Sequence, residues 1–265
     1  SKNTHLKNNN KMNIQNKTIL ITGGSAGIGR EAAKQFLAKG CKVIITGRNQ
    51  DKLDQAKRTF PALITIKSDV AKEDDAKALY TQIVQLGGID ILYNNAGVGV
   101  LPLNLGIAND QHANNAAYEM NINYIGVIRL NNLFLPMLQA RKESAIINTT
   151  SVLSYVPSLL EATYSATKTA LAFYTKSLRE HLRIAKSQVK VFELLPPAVE
   201  TDLIAHRKVK KMSPENLIKG LIECLEKDDY TIRMGYTRAF YWLNRIFPKL
   251  AFALVNPKSA EQYLN

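Results

Sequence analysis

The sequence contains few residues of the kinds that build disulfide frameworks or metal centres. Among its 265 residues are two cysteines, Cys41 and Cys224, and four histidines scattered along the chain. Two cysteines give no disulfide framework, and neither they nor the histidines stand at metal-ligand spacing. We therefore expect no bound metal. The cysteine usage is typical of a reducing compartment, so we expect a cytoplasmic protein.

Long apolar runs are also lacking. No uninterrupted apolar stretch reaches the roughly 18 residues that a membrane-spanning helix needs, so a transmembrane helix is not expected. Residues 1–16 are polar, rich in Asn and Lys, and without the apolar segment of a secretory signal. We predict that these 16 residues form a disordered arm.

Acidic residues are too few to balance the basic ones. The chain has 35 Lys and Arg against 22 Asp and Glu, a formal net charge of +13. Such an excess is typical of proteins that bind an anionic membrane or nucleic acid. It is also compatible with a basic protein whose anionic partner is a modest ligand. The basic residues are spread along the chain and no nucleic-acid recognition motif occurs, so we expect no nucleic-acid partner. One cluster stands out, formed by Arg207, Lys208, Lys210 and Lys211.

What the sequence does have is an alternation of short apolar runs and amphipathic segments. Strands are predicted at 17–22, 42–46, 62–67, 89–93, 144–150, 188–195 and 230–234, with helical patterns between them. Such alternation favours a parallel sheet covered on both faces. The fold class is therefore α/β, a single-domain, Rossmann-like, doubly wound parallel sheet of about seven strands over residues 17–235. Residues 98–117 are predicted to be irregular, and a long helix at 119–140 is predicted to break or kink near Pro136.

A glycine-rich turn follows the first strand and opens a helix. Gly23, Gly24, Gly27 and Gly29 stand within seven residues, whereas an ordinary left-handed turn needs one glycine. Strand, glycine turn and helix together form the context of a dinucleotide motif. Glycines let the backbone approach phosphates, and the helix N-terminus offers unpaired N–H groups to a pyrophosphate.

The end of the second strand bears on which dinucleotide binds. An acidic residue there takes the ribose 2′-hydroxyl of NAD, whereas a nearby Arg suits the 2′-phosphate of NADP. Here Gly47 occupies the expected acidic position and Arg48 follows it. We therefore predict that NADP(H) is favoured over NAD(H). The alternative is that Arg48 only caps the strand end in solvent.

Tyr164 and Lys168 form the pair around which the chemistry is organised. Residues four apart on a helix lie on one face. At about 4 Å and an effective dielectric near 20, a cation contributes up to about 4 kcal/mol, or up to about three pKa units, in favour of the phenolate. Tyr164 could then exchange a proton with an alcohol oxygen near neutral pH. The non-functional alternative is a half-exposed Tyr that lies beside a surface Lys. The functional interpretation is strengthened by Ser151, which stands thirteen residues upstream at the end of a strand.

Two further polar elements accompany this pair. Asn94 to Gly97 form a small turn at the end of the fourth strand, where open α/β sheets bind ligands. Asn123 lies among apolar residues, so its amide must be paired. It either satisfies a local carbonyl or holds a water in a proton relay, and the pattern leaves both open.

Taken together, these motifs resemble those of the short-chain dehydrogenase/reductase family over roughly residues 17–235. Thr22 to Gly29 match its TGxxxGxG turn, and Asn94 to Gly97 its NNAG element. The resemblance implies that Tyr164 is the acid–base residue, that Ser151 binds the substrate oxygen, that Lys168 holds the nicotinamide ribose and that Asn123 holds a water. It also implies a set of cofactor-binding residues: Gly23, Ser25, Ala26, Gly27, Ile28, Gly29, Arg48, Asp69, Val70, Asn95, Ala96, Gly97, Tyr164, Lys168, Pro196, Val199 and Thr201. The family's usual Pro-Gly after the sixth strand is Pro196-Pro197 here, and we expect altered contacts on the nicotinamide side.

The resulting expectation is an NADP(H)-preferring oxidoreductase that interconverts a secondary alcohol and a ketone or aldehyde. The alternatives are a nucleotide-binding scaffold or redox sensor without catalysis, and a membrane-surface reductase of lipid-like carbonyls. The last would use residues 236–256 together with the basic loop 207–211. Residues 236–256 belong to a C-terminal extension, 236–265, which could instead pack on the domain or on a subunit partner, or form a lid. Substrate choice is assigned to residues 98–117, 152–160 and 200–214. By analogy with the family we also expect a homodimer or homotetramer.

Overall fold

The computed structural model describes residues 11–100, 104–204 and 209–257. Seven parallel strands form one sheet in the order β3-β2-β1-β4-β5-β6-β7. The strands are β1 Thr18–Thr22, β2 Lys42–Gly47, β3 Ile64–Lys67, β4 Ile91–Asn94, β5 Ser144–Thr149, β6 Val189–Leu195 and β7 Thr231–Arg233. The predicted Rossmann-like doubly wound sheet is thereby confirmed.

Helices cover both faces of this sheet. They are α1 Gly27–Ala38, α2 Gln50–Thr59, α3 Glu73–Gln85, α4 Gln111–Met120, α5 Gly126–Gln139, α6 Ala162–Ile184, α7 Pro214–Leu225, α8 Thr237–Ile246 and α9 Pro248–Val255. A π-helical turn, Asn121–Ile125, joins α4 to α5, and 3-10 turns occur at Val152–Ser154 and Asp202–Ile204.

Alternating side chains of the central strand feed two separate cores. Ile19 and Ile21 pack in one core with Phe36 of α1, whereas Leu20 packs in the other with Phe134 of α5. Successive side chains of a strand point to opposite faces, so a continuous apolar run serves both layers. The strand order reverses between β1 and β4, which opens a crevice at their carboxyl ends.

The region between β4 and β5 differs from the prediction in two respects. Residues 111–117 are not irregular, because they form most of α4, which packs on α6. Tertiary packing here overrides the weak helix propensity of its Asn residues. The helix also does not break at Pro136, since α5 continues to Gln139 and the Pro136 carbonyl accepts a hydrogen bond from the Ala140 N–H at 3.1 Å. The irregularity lies at the π-helical turn instead.

Both ends of the chain carry structure that bears on the predicted boundaries. Of the predicted disordered arm, residues 1–10 lie outside the described residues. Met12 and Ile14 are buried in the core beside Cys41, whose thiol donates to the Ile14 carbonyl at 3.1 Å. The predicted boundary at residue 16 is therefore wrong for residues 11–16, because two apolar side chains anchor them.

The C-terminal extension is helical where it is described. Helices α8 and α9 pack against each other, and residues 258–265 lie outside the described residues. Of the basic cluster, Lys210 and Lys211 are described, whereas Arg207 and Lys208 are not. Within the described ranges, no helix combines the length and apolar character needed to cross a bilayer.

Candidate active site

The glycine turn after β1 is held by close backbone packing. Gly23 and Gly27 adopt φ values of +64° and +51°, where a side chain is strained. A Cβ on Gly29 would overlap the Gly23 carbonyl and lie 2.6 Å from Asn95 Nδ2. The Asn95 amide itself donates to the Thr22 carbonyl at 3.0 Å. The turn therefore needs its glycines, and the β4 turn fixes its position.

Helix α1 begins at this turn without a side-chain cap on Ala26. Beside it lies a cavity of about 290 Å³, whose lining includes Ser25, Ala26, Gly27, Arg30 and Thr201. A Cβ on Gly27 would come within 3.1 Å of Thr201 Cγ2, so the absence of a side chain keeps the gap open. The lining also carries two basic and three acidic side chains, those of Arg30, Lys52, Glu31, Glu200 and Asp202. The feature that suits a pyrophosphate is therefore the uncapped helix N-terminus behind the glycine turn, and this part of the cavity fits a dinucleotide.

The ends of β2 and β3 carry the predicted adenosine-side residues. Arg48 is exposed, and its guanidinium donates to the Tyr118 hydroxyl at 2.9 Å, which raises the Arg48 pKa. Asp69 Oδ1 accepts from the Ala71 N–H at 3.0 Å. Val70 is buried, and its carbonyl accepts from Arg129 at 2.6 Å. These three predicted residues line neither cavity, but they lie at the carboxyl edge of the sheet beside the glycine turn.

A larger cavity of about 720 Å³ contains three of the four predicted catalytic side chains, those of Ser151, Tyr164 and Lys168. Of the predicted set, its lining includes Ile28, Asn95, Gly97, Ser151, Tyr164, Lys168, Pro196, Val199 and Thr201. Thr201 also lines the smaller cavity, so the two are neighbours along one cleft. The cleft thus extends from the N-terminus of α1 to Tyr164.

Lys168 is buried, and its position is fixed by one neighbouring strand. Its ammonium donates to the Thr149 carbonyl at 2.9 Å and lies 5.6 Å from the centroid of the Tyr164 ring. Burial lowers the pKa of Lys168 to about 8, because desolvation disfavours the charged form. The ammonium therefore stays protonated at neutral pH, close to the phenol.

Ser151 follows β5 and begins the 3-10 turn. Its hydroxyl oxygen accepts from the Leu153 N–H at 3.1 Å, and the side chain lies at the cavity wall. Because a hydroxyl can accept one bond and donate another, Ser151 can still donate to a ligand oxygen. Ser151 and Tyr164 line the same cavity, as the pattern predicts.

Asn123 occupies the π-helical turn and is fully buried. Its Oδ1 accepts from the Val98 N–H at 2.8 Å, and its Nδ2 donates to the Val98 carbonyl at 2.8 Å and to Thr167 Oγ1 at 3.0 Å. A Cβ on Gly97 would lie 3.3 Å from Asn123 Oδ1 and 3.4 Å from Lys168 Nζ. The amide is therefore paired locally, and it holds residues 97 and 98 close to Lys168.

The turn after β6 closes the cleft opposite the glycines. Pro196 and Val199 line the large cavity, and the Pro196 carbonyl accepts from the Val152 N–H at 3.1 Å. This bond ties the β6 turn to the segment that carries Ser151. Ala96, the last predicted contact, donates its N–H to Thr22 Oγ1 at 3.0 Å.

The substrate residues predicted from sequence, 98–117, 152–160 and 200–214, do not include one wall of the large cavity. The alternative of a lid formed by residues 236–256 did point to it. Both C-terminal helices contribute to it, through Tyr236, Ala239, Phe240, Leu243, Leu254 and Val255. The spacing of 239, 240 and 243 marks one helical face, which was the available signal. It could not reveal which surface that face would cover.

Side-chain bonds fix this wall against the Ser151 segment. Arg233 Nε donates to the Tyr155 hydroxyl at 3.0 Å, and its guanidinium lies 4.3 Å from the centroid of the Tyr241 ring. Asn244 donates to the Tyr155 carbonyl at 3.1 Å. Asn256, just after α9, accepts from the Leu159 N–H at 2.7 Å. The extension is therefore an integral part of the cavity.

Known proteins share both the sequence pattern and the fold. A family model described as short chain dehydrogenase matches residues 17–211. DltE of Bacillus subtilis (strain 168), described as an uncharacterized oxidoreductase, is 37% identical over 194 residues, covering 72% of this chain and 75% of that protein. The NADPH-dependent 1-acyldihydroxyacetone phosphate reductase of Schizosaccharomyces pombe is 34% identical over 190 residues, covering 71% of this chain and 61% of that protein.

Solved structures extend the similarity to the fold of nearly the whole chain. A short chain dehydrogenase from Burkholderia cenocepacia J2315, solved in complex with NADP, gives a TM-score of 0.81. It covers 92% of this chain and 99% of its own, at 23% sequence identity. At that identity the likeness concerns the fold.

Proposed function

We propose that this chain, which belongs to the short-chain dehydrogenase family and is an oxidoreductase of that family, uses NADP(H) as its cofactor. In the proposed reaction it interconverts an apolar secondary alcohol and the corresponding ketone, or an aldehyde and its alcohol. The observation that carries the proposal is the convergence of Ser151, Tyr164 and Lys168 on one cavity. That cavity adjoins the glycine turn through Thr201.

In the proposed reaction the nicotinamide supplies or accepts the hydride, and this chain's residues place the substrate and handle its proton. Tyr164 donates a proton to the carbonyl oxygen in the reductive direction. Ser151 donates a hydrogen bond to the same oxygen as negative charge develops on it. Lys168 holds the nicotinamide ribose, and its charge favours the phenolate that remains after proton transfer.

Asn123 receives a positioning role in this proposal. Its amide is bonded to Val98 and Thr167, so the side chain keeps the end of the β4 turn beside Lys168. The expected water between Lys168 and solvent stays a prediction. The rate at which the Lys168 ammonium protons exchange with solvent would test it, since a water beside the ammonium should make that exchange fast.

The NADP(H) preference rests on the end of β2. The acidic residue that would bind a 2′-hydroxyl is missing at Gly47, and Arg48 presents an exposed guanidinium. Its bond to Tyr118 orients the guanidinium at the sheet edge, where an adenosine phosphate would lie. The yeast relative is named as NADPH-dependent, which agrees with this assignment.

The apolar substrate class rests on the wall formed by α8 and α9. Phe240, Leu243 and Val255 face the cavity together with Leu153, so a hydrocarbon chain would be desolvated there. Each buried methylene contributes about 0.8 kcal/mol, or roughly a fourfold gain in kcat/KM. The yeast relative, by its name, acts on an acylated ketone.

A homologous series of methyl ketones, assayed by NADPH consumption, tests this function. We expect kcat/KM to rise about fourfold per methylene until the chain fills the cavity. Turnover that does not depend on chain length would refute the apolar substrate class. Tight NADPH binding without turnover of any ketone or aldehyde would favour the scaffold or sensor alternative instead.

Assembly and location remain predictions. We expect a homodimer or homotetramer built on α5 and α6, since α6 leaves Phe173 largely exposed. Light scattering on wild type and Phe173→Glu would test this, with a smaller species expected for the variant. The expected cytoplasmic location would be tested by cell fractionation.

A further inference from the structure

The outer surface of α8 and α9 carries large apolar side chains that the fold leaves exposed. Trp242, Ile246, Phe247 and Leu250 are all more than half exposed. On α8, positions 238, 242, 245 and 246 share one side, whereas 239, 240 and 243 line the cavity. We call the exposed side of both helices the outer face; its residues are Arg238, Trp242, Arg245, Ile246, Phe247, Lys249 and Leu250.

The charges on this outer face have one sign. Residues 236–256 include Arg238, Arg245 and Lys249 and no acidic residue. All three cations are exposed, and none forms an ion pair in the described part of the chain. A two-fold contact with a second copy would bring the same patch of each copy together and place like charges opposite one another. An anionic surface is the complementary partner.

The apolar surface also reaches the mouth of the cavity. Leu203, Val209, Tyr236 and Leu254 all line the cavity and are themselves exposed. Lys210 stands at the same rim. Because Leu254 stands one helical turn after Leu250 on α9, the outer face adjoins this rim.

We propose that the outer face docks on an anionic phospholipid bilayer and holds the cavity mouth at the membrane surface. Interfacial helices of this kind present aromatic and aliphatic side chains beside Lys and Arg and lie in the plane of the interface. Helices of 10 and 8 residues extend about 15 and 12 Å, which suits an interfacial position. The further step, delivery of a membrane-dissolved carbonyl compound into the cavity, rests on the proposed function; the docking itself does not.

Vesicle co-sedimentation of the full chain tests the docking. We expect weak binding to phosphatidylcholine vesicles and at least tenfold stronger binding when phosphatidylglycerol is included. Because Trp242 is the only Trp, its emission should shift to shorter wavelength on binding and be quenched by brominated lipid. Unchanged emission, or equal binding to neutral and anionic vesicles, would overturn the proposal.

Matched variants separate the outer face from general effects of charge and exposure. Ile246→Glu should reduce binding at least tenfold, whereas Ile184→Glu on α6 should not; the two side chains are 62% and 64% exposed. Arg245→Gln with Lys249→Gln should sharply reduce the preference for anionic lipid. Arg58→Gln with Lys142→Gln, which lowers the net charge equally at exposed sites, should keep it. Equal losses in a variant and its control would contradict a specific docking face.

Two further outcomes are distinguishable. If Ile246→Glu changes the oligomeric mass measured by light scattering and wild type does not bind vesicles, the outer face is a protein interface and the proposal fails. If wild type binds anionic vesicles but consumes no NADPH with any ketone or aldehyde, docking stands and the proposed function fails.

Discussion

The buried ammonium of Lys168 is expected to cost the protein folding stability. Burial lowers its pKa from 10.5 to about 8, and a difference of one in pKa corresponds to about 1.4 kcal/mol. At pH 7, where Lys168 is protonated in both the folded and unfolded chain, keeping the charge in the folded protein therefore costs roughly 3 kcal/mol. A residue retained at such a cost is expected to serve function.

Lys168→Met should reveal this cost. Met keeps an unbranched chain of similar length and removes the charge, but it leaves the Thr149 carbonyl without the bond that Lys168 donates at 2.9 Å. An unpaired buried acceptor costs about 1–3 kcal/mol. The variant should therefore be as stable as wild type at pH 7, or up to about 2 kcal/mol more stable, where substitutions at buried sites commonly destabilise by about 0.5–3 kcal/mol; this contrast is what the measurement detects.

The pH dependence of the difference makes the test specific. Lys168 releases its proton in the folded protein near pH 8 and in the unfolded chain near pH 10.5, so wild-type stability should rise with pH through this window. By pH 9.5 wild type should gain about 2 kcal/mol relative to Lys168→Met. Urea unfolding at pH 7 and 9.5, at fixed protein concentration, measures both values. A variant clearly less stable than wild type at pH 7, or a difference independent of pH, would refute the reasoning.

Three further predictions concern the cleft. Gly29→Ala places a Cβ against the turn backbone; we expect at least tenfold weaker NADPH binding by calorimetry, and unchanged affinity would contradict the glycine cradle. Arg48→Ala should weaken NADPH binding about ten- to a hundredfold, which corresponds to the loss of one charge-assisted hydrogen bond, and should leave NADH affinity unchanged. The control Tyr118→Phe should change NADPH affinity by severalfold at most. Equal losses of affinity for both nucleotides would exclude a 2′-phosphate contact. Tyr155→Phe removes the acceptor of the Arg233 bond, and it should raise KM for long-chain ketones severalfold with little change in NADPH affinity, so an unaltered KM would show that the bond does not position the wall.

The sequence was informative where structure is set by short stretches. Three patterns are local in this sense: the glycine turn, the position of Arg48, and the four-residue spacing of Tyr164 and Lys168. Each can be interpreted from the chemistry of a few neighbouring residues, without knowledge of the tertiary contacts. Because parallel strands deliver their ends to one edge of the sheet, placing Ser151 at a strand end also placed it near the cleft.

The remaining features depend on contacts between distant residues. Helix α4 forms from an Asn-rich stretch because it packs on α6, and Met12 is buried because the fold offers it a pocket near Cys41. The cavity wall from α8 stands some ninety residues from Ser151 in sequence, and the Asn244 bond to the Tyr155 carbonyl holds it against the Ser151 segment. Amphipathic spacing shows that a helix has an apolar side, but the partner of that side is decided by tertiary packing.

The central claim is that the Tyr164 hydroxyl transfers the proton while the cleft holds the nucleotide. Tyr164→Phe removes one oxygen, so the account predicts NADPH affinity within about threefold of wild type and turnover reduced by about 10²–10⁴-fold, the usual contribution of a positioned acid–base group. Nucleotide titration and steady-state NADPH consumption on the same preparation measure both quantities. Turnover at the wild-type rate in Tyr164→Phe would contradict the account.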